Sequence, residues 1–158
     1  MTSNLIHRRR VLGLSAAALF APALSFAITP SQIVQVWKDP NCGCCADWVT
    51  HMQDNGFKVQ VFDTGNTAVR KKLGMPQQFG SCHTALIDGY VIEGHVPASD
   101  IKQLLAQRPA ALGLAVPGMP IGTPGMDGKV YKGRQDAYDV LLVQRNEQTS
   151  VFKRYASS

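Results

Sequence analysis

Apolar and polar positions along this chain form short, separated patterns whose period changes several times. Ile33-Val34-Gln35-Val36-Trp37 is β-branched and apolar enough for a buried first strand. Lys38-Asp39-Pro40-Asn41 breaks it, because Pro40 has no N–H to give a central ladder. From Cys45 to Asn55 the period turns helical. Trp48, Val49 and Met52 share a face at helical offsets, and Asn55-Gly56 supplies a stop. Phe57 to Phe62 alternates as a second strand, and Ala68 to Leu73 supports a short helix ended by Gly74 and Pro76. Thr84-Ala85-Leu86-Ile87 and Tyr90-Val91-Ile92-Glu93 flank Asp88-Gly89, a strong hairpin signal. Pro97-Ala98-Ser99-Asp100 then opens a helix running through Ile101, Leu104 and Leu105 to Arg108.

The order β-α-β-α-β-β-α predicts an α/β domain with a thioredoxin-like fold. Beyond it, Val116 to Gly128 holds three prolines, four glycines and two methionines in 13 residues, too many breakers for regular structure. Tyr138 to Val143 and Val151 to Tyr155 read as two further strands around the polar turn Gln144 to Ser150. They form a C-terminal β-strand extension that lengthens the sheet or covers an edge.

The first 27 residues do not share these patterns. Arg8-Arg9-Arg10 precede an Ala-rich apolar run from Val11 that closes with Ser25-Phe26-Ala27, the layout of a secretory signal peptide. The order Arg8-Arg9-Arg10-Val11-Leu12 also resembles a twin-arginine export signal, whose substrates cross the membrane folded. The apolar run is about 16 residues and contains Pro22, against the ~20 needed for a membrane span. The expectation is a signal over 1–27 and a single metal-binding domain over 28–158, exported to the periplasm and without a stable membrane span.

Charge changes with that reading. Residues 1–27 hold three of the 16 basic side chains and none of the 11 acidic ones, so the mature chain carries 13 against 11, a balance of +2. No basic run with interleaved aromatics remains, which argues against nucleic acid as a partner. The one basic triplet, Arg70-Lys71-Lys72, covers a helical turn and reads as a solvated face.

The chemistry concentrates in four cysteines. Cys42 and Cys45 have C-x-x-C spacing at a strand-to-helix junction, where free N–H groups and the helix dipole favour thiolate over thiol. At least one cysteine there is expected to have a pKa below the free value of ~8.5. A redox pair alone would not need Cys44. Three thiols within four residues can converge on a soft cation or bridge several. Cys82 precedes the third strand, at a spot that faces the C-x-x-C loop in a thioredoxin-like domain and where thioredoxins place a proline. The alternatives are two structural disulfides, suited to an oxidising compartment, and a structural zinc site. Zinc usually draws ligands as separated pairs, whereas this arrangement is three plus one.

Soft thiolate and thioether donors also select Cu(I). Met119 and Met126, in Pro117-Gly118-Met119-Pro120 and Pro124-Gly125-Met126, add candidate thioethers, although each taken singly also suits packing. His83 follows Cys82, and within a strand the two would face opposite ways. His95, in Glu93-Gly94-His95-Val96-Pro97, is the other candidate imidazole. His51 lies roughly 9 Å along the helix from Cys45 and is set aside.

Taken together, Pro40-Asn41-Cys42-Gly43-Cys44-Cys45 with Trp48, Ser81-Cys82-His83-Thr84-Ala85 and Glu93-Gly94-His95-Val96-Pro97 resemble a known family. So do Gly113-Leu114-Ala115-Val116-Pro117-Gly118-Met119-Pro120 and Thr123-Pro124-Gly125-Met126. The family is the small thioredoxin-like, metal-binding CopG type found with bacterial copper resistance. The resemblance implies a periplasmic copper-handling role, with Cys42, Cys44, Cys45 and Cys82 as copper-thiolate ligands of a cluster able to change redox state. Cu(I), in more than one ion, is the expected metal, ahead of zinc. His83, His95, Met119 and Met126 are further ligand candidates. Sequestration is the leading role, with Cu(I)/Cu(II) interconversion as its redox extension. Two rivals stand beside it: a thiol–disulfide oxidoreductase using Cys42 and Cys45, and a chaperone delivering copper to other periplasmic copper proteins.

Overall fold

The computed structural model describes residues 33–158, so the signal segment expected over 1–27 lies outside the described residues. Strand β1 (Ile33–Lys38) leads into helix α1 (Gly43–Asp54), followed by β2 (Lys58–Phe62) and α2 (Thr67–Leu73). The hairpin β3 (His83–Ile87) and β4 (Tyr90–Glu93) precedes α3 (Ala98–Gln107). Then come β5 (Gly113–Ala115), β6 (Tyr138–Val143) and β7 (Thr149–Tyr155).

All seven strands join one sheet in the order β2-β1-β3-β4-β5-β6-β7. β1 runs parallel to β2 and antiparallel to β3, and β3 runs antiparallel to β4, the arrangement expected of a thioredoxin-like core. The extension is longer than expected. A three-residue strand, β5, pairs parallel to β4 and carries β6 and β7 onto the same sheet.

Strand alternation sends Val34 and Val36 to one face, where α1 buries Trp48, Val49 and Met52 and α3 buries Ile101 and Leu104 in a shared core. The other face is covered near α2, with Leu73, Met75 and Phe79 against Val91, Leu112 and Val143. The extension is tied to α3 through buried Asp100, which accepts the Tyr155 hydroxyl at 2.9 Å and lies 3.2 Å from Lys153 Nζ.

Register decides where the chemistry gathers. Lys38 pairs with His83, so the exit of β1 lies beside the entrance of β3. Thr84 pairs with Glu93, and Glu93 with Ala115. The cysteine loop after β1, Cys82 before β3, His95 after β4 and the Pro/Gly loop after β5 therefore meet at one end of the sheet. Among the described residues, no helix is long and apolar enough to cross a membrane.

One expectation is corrected here. Arg70 is not part of a solvated face: it is 4% exposed and pairs with the fully buried Glu93 at 2.8 Å. Three consecutive basic residues on a helix cannot share one face. Lys71 and Lys72 turn to solvent while Arg70 turns inward.

Candidate metal centre

Helix α1 starts at Gly43, two residues before the pattern predicted, which places Cys44 and Cys45 in its first turn and Cys42 at its N-cap. No side-chain hydrogen bond caps that end, so the helix dipole at the cysteine loop is not offset by a capping side chain. The four cysteine sulfurs lie within 4.8 Å of one another. Cys42 and Cys45 form a disulfide, and Cys44 and Cys82 are free thiols. Cys44 Sγ is 3.6 Å from Cys42 Sγ and 3.9 Å from Cys82 Sγ. The alternative of two structural disulfides is therefore half met: one pair is closed and the other two sulfurs stand apart.

Cys82 is also the corner of a second group. Its sulfur lies 3.1 Å from His95 Nε2 and 3.4 Å from His83 Nδ1, and these three donor atoms fall within 4.8 Å of one another. The opposite-face expectation for Cys82 and His83 does not apply, because β3 begins only at His83 and strand alternation does not govern Cys82. Burial, with the Cys44 sulfur alongside, pushes the Cys82 thiol up to about 12. Burial lowers the pKa of both histidines, that of His83 well below its ordinary value, so each imidazole is neutral near pH 7 and keeps a lone pair.

The two imidazoles are not equivalent. His95 Nδ1 faces the Pro124 carbonyl oxygen at 2.8 Å, which fixes the proton on that nitrogen and leaves the Nε2 lone pair aimed at Cys82. Such an outer partner is what a metal-ligating histidine usually has. His83 lacks one. Its Nε2 is the one buried side-chain polar atom without a hydrogen-bond partner among the described residues, and its ring packs 4.4 Å from Trp48 and 4.9 Å from His95.

The Pro/Gly loop thus reaches the site through its backbone. Gly125 adopts φ +86°, and a Cβ there would stand 2.5 Å from the Cys44 carbonyl oxygen. Ser81 donates its hydroxyl to Gly118 O, fastening the same loop beside Cys82. The two loop methionines differ. Met126 is buried and its sulfur accepts the Tyr131 hydroxyl at 3.6 Å, whereas Met119 is 51% exposed.

Residues that the sequence pattern does not reveal lie just outside the sulfurs. Arg70, Glu93, Asn66 and Thr84 form a buried polar network around Ser81. The available signal was Glu93, a carboxylate ending an otherwise apolar strand. His51, set aside as a ligand, plays a structural part instead, since its Nε2 accepts the Ala98 N–H at the start of α3, at 3.1 Å. Far from the cysteines, a groove of about 770 Å³ opens beside the β3–β4 turn and is lined by Tyr90, Arg108 and Arg145.

Two free thiols, two disulfide sulfurs that reduction would add and two neutral imidazoles form a donor set that could hold a soft or borderline metal ion. A family model described as "Protein of unknown function, DUF411" matches residues 79–126, the stretch that holds Cys82, both imidazoles and the Pro/Gly loop. No protein of curated function matches the chain. Two solved structures of the copper resistance protein CopG, its form 1 and form 2, are each 48% identical to this chain and cover 78% of it. The match spans 97% and 98% of those chains, with TM-scores of 0.73 and 0.72. An identity of that size over nearly the whole of both structures makes this chain a member of the family of the copper resistance protein CopG.

Proposed function

We propose that this protein binds Cu(I) as its cargo in a thiolate cluster of Cys42, Cys44, Cys45 and Cys82, and that it serves copper resistance by sequestration in the periplasm. The observation that carries this reading is the gathering of four sulfurs within 4.8 Å from two segments far apart in sequence. Four thiolates at that spacing can bridge more than one Cu(I), and bridging uses a third motif cysteine that a redox pair does not need. His95, with its tautomer held by Pro124, joins as the imidazole ligand ahead of His83. Met119 and Met126 remain outer thioether candidates, Met119 being the accessible one. The basic, apolar and small-residue sequence of 1–27 supports export.

The cysteine disulfide bears directly on this role. All four sulfurs act as thiolates only after an external dithiol reductant gives Cys42–Cys45 two electrons and two protons, yielding two thiols whose protons are released to solvent as the metal binds. Thiol redox state and copper capacity are coupled on this reading, because the closed disulfide removes two of the four thiolates.

The test is metal content and thiol count on reduced protein loaded anaerobically with Cu(I), and separately with Zn(II). Two or more coppers per chain, lowered in Cys44→Ser, are expected. The disulfide also favours a second reading, dithiol exchange by Cys42 and Cys45. Substoichiometric copper, with exchange abolished in Cys42→Ser and intact in Cys44→Ser, would establish that reading instead.

A further inference from the structure

Cys82 is the one cysteine of the four that α1 does not hold. The sheet does not hold it either, since β3 starts one residue later and residues 80–82 have no ladder partners. What holds it is a set of buried side chains. The Ser81 N–H donates to Glu93 Oε1 at 2.7 Å, and the Ser81 carbonyl accepts from Arg70 and, at 3.1 Å, from Asn66 Nδ2. Both backbone groups of the residue preceding Cys82 therefore end on one network.

Within that network the charged groups are fully partnered. Arg70 uses all three guanidinium nitrogens, on Glu93 (2.8 Å), Gln77 Oε1 (3.2 Å) and Ser81 O. The second oxygen of Glu93 accepts the Thr84 hydroxyl at 2.6 Å. Gly80 passes so near that a Cβ would stand 3.0 Å from Arg70 Nη1. A Cβ on Gly94, next to Glu93, would stand 2.5 Å from Ser81 Oγ. A buried ion pair is a poor device for stability, because well-packed apolar residues do as well or better. Its value here lies in geometry: it is directional, and each partner of the pair bonds one backbone group of Ser81, the residue before Cys82.

We propose that Arg70 and Glu93 are positioning residues that hold Cys82 in place for the metal, keeping the fourth sulfur beside His95 whether the Cys42–Cys45 pair is open or closed. The proposal rests on the cluster reading for its purpose, but its geometry can be tested without metal.

Two readouts test it on the reduced, full mature protein. The first is alkylation by iodoacetamide of the metal-free chain, followed at each cysteine by mass mapping. The second is retention of Cu(I) against a chromophoric chelator, with the thiolate-to-Cu(I) ultraviolet absorption as its signature. Replacing both partners, Arg70→Met with Glu93→Met, removes the pair without stranding a buried charge. The expected result is a folded protein in which Cys82 alkylates severalfold faster while Cys44 keeps its rate. Cu(I) should be held roughly 10–100-fold more weakly, the usual cost of losing an outer partner. Arg70→Lys keeps the ion pair, and with it the Ser81 bond to Glu93, but loses the guanidinium bond to the Ser81 carbonyl, so both properties should fall between those of wild type and the double variant. Unchanged Cys82 alkylation and Cu(I) retention in the folded double variant would overturn the proposal. So would equal acceleration at Cys44 and Cys82, which reports general loosening. If the double variant does not fold, Arg70→Lys decides: some acceleration confined to Cys82 supports the proposal, and wild-type behaviour overturns it. If the wild type itself holds no Cu(I), the cluster reading fails, and alkylation alone still decides the positioning role.

Discussion

His51 lies on α1 beyond the cysteines, and its neutral imidazole accepts the Ala98 N–H that opens α3. Burial pushes its pKa below the ordinary value of 6.5, against the opposing pull of Asp127 and Asp54 and with the help of Lys102. The folded state therefore binds the proton less readily than the unfolded chain. Its contribution is fully present above pH 6.5 and is lost as pH falls through the depressed folded value. His83 and His95 shift the same way, so the wild-type profile alone does not isolate His51. Denaturant midpoints of wild type and His51→Ala, measured from about pH 8 to pH 5, do isolate it. The variant should be less stable by ~1 kcal/mol at the alkaline end, the scale of a lost helix-end partner, and the gap should narrow toward pH 5. A gap independent of pH would show that the ring acts by packing alone. None of this was legible in the chain, where spacing from Cys45 excluded His51 as a ligand but could not reveal its long-range acceptor role. Arg70 teaches the converse lesson. A basic triplet looks uniform in sequence, yet helical geometry turns one member inward, and only the buried Glu93 across the sheet gives it a reason to go.

Elements with a strong local period were readable, and those without one were not. The β3–β4 hairpin appears where Asp88-Gly89 demands it, with both residues at positive φ as a tight two-residue turn requires. α1, α3, β6 and β7 also follow their patterns within a few residues. β5 was not visible because three residues buried on both faces carry no alternation. Its Gly113 lies so close to β4 that a Cβ would stand 1.7 Å from the Val91 carbonyl oxygen. The loop from Val116 to Gly128 was legible as irregular, but its role as the backbone partner of the site depends on where β5 delivers it. Gly125→Ala tests that role. The new methyl would meet Cys44 O at 2.5 Å and Trp48 N at 2.9 Å, at a φ that side chains rarely adopt. A loss on the order of 1–3 kcal/mol is expected in denaturant unfolding. Nitrogen chemical shifts of His95 should also show mixed tautomers once the Pro124 carbonyl withdraws. A stability loss with an unchanged His95 tautomer would separate the loop from the site.

At the scale of the whole molecule, the site is a product of sheet register. The cysteine content and the C-x-C-C spacing are local and could be read directly, whereas the meeting of Cys42, Cys82 and His95 needs β1, β3 and β4 to be neighbours with Lys38 opposite His83 and Thr84 opposite Glu93. A metal held there joins α1, the entrance of β3 and the link from β4 to α3, so its binding is coupled to global stability. A ligand that binds only the folded state stabilises it by about 2.7 kcal/mol at a free concentration about 100 times its Kd. Reduced protein should therefore melt several degrees higher when Cu(I) is added. The gain should disappear in Cys82→Ser, which unlinks β3 from α1, and should be much smaller in oxidised protein, where the Cys42–Cys45 disulfide withdraws two sulfurs. Oxidation alone has the opposite tendency, because a cross-link restricts the unfolded chain, though a loop this short restricts it little. The comparison is thus made within each redox state, with and without metal, by thermal unfolding under anaerobic conditions. If Cu(I) stabilises oxidised and reduced protein equally, the cluster does not use Cys42 and Cys45, and the donor set contracts to Cys44, Cys82 and the two imidazoles.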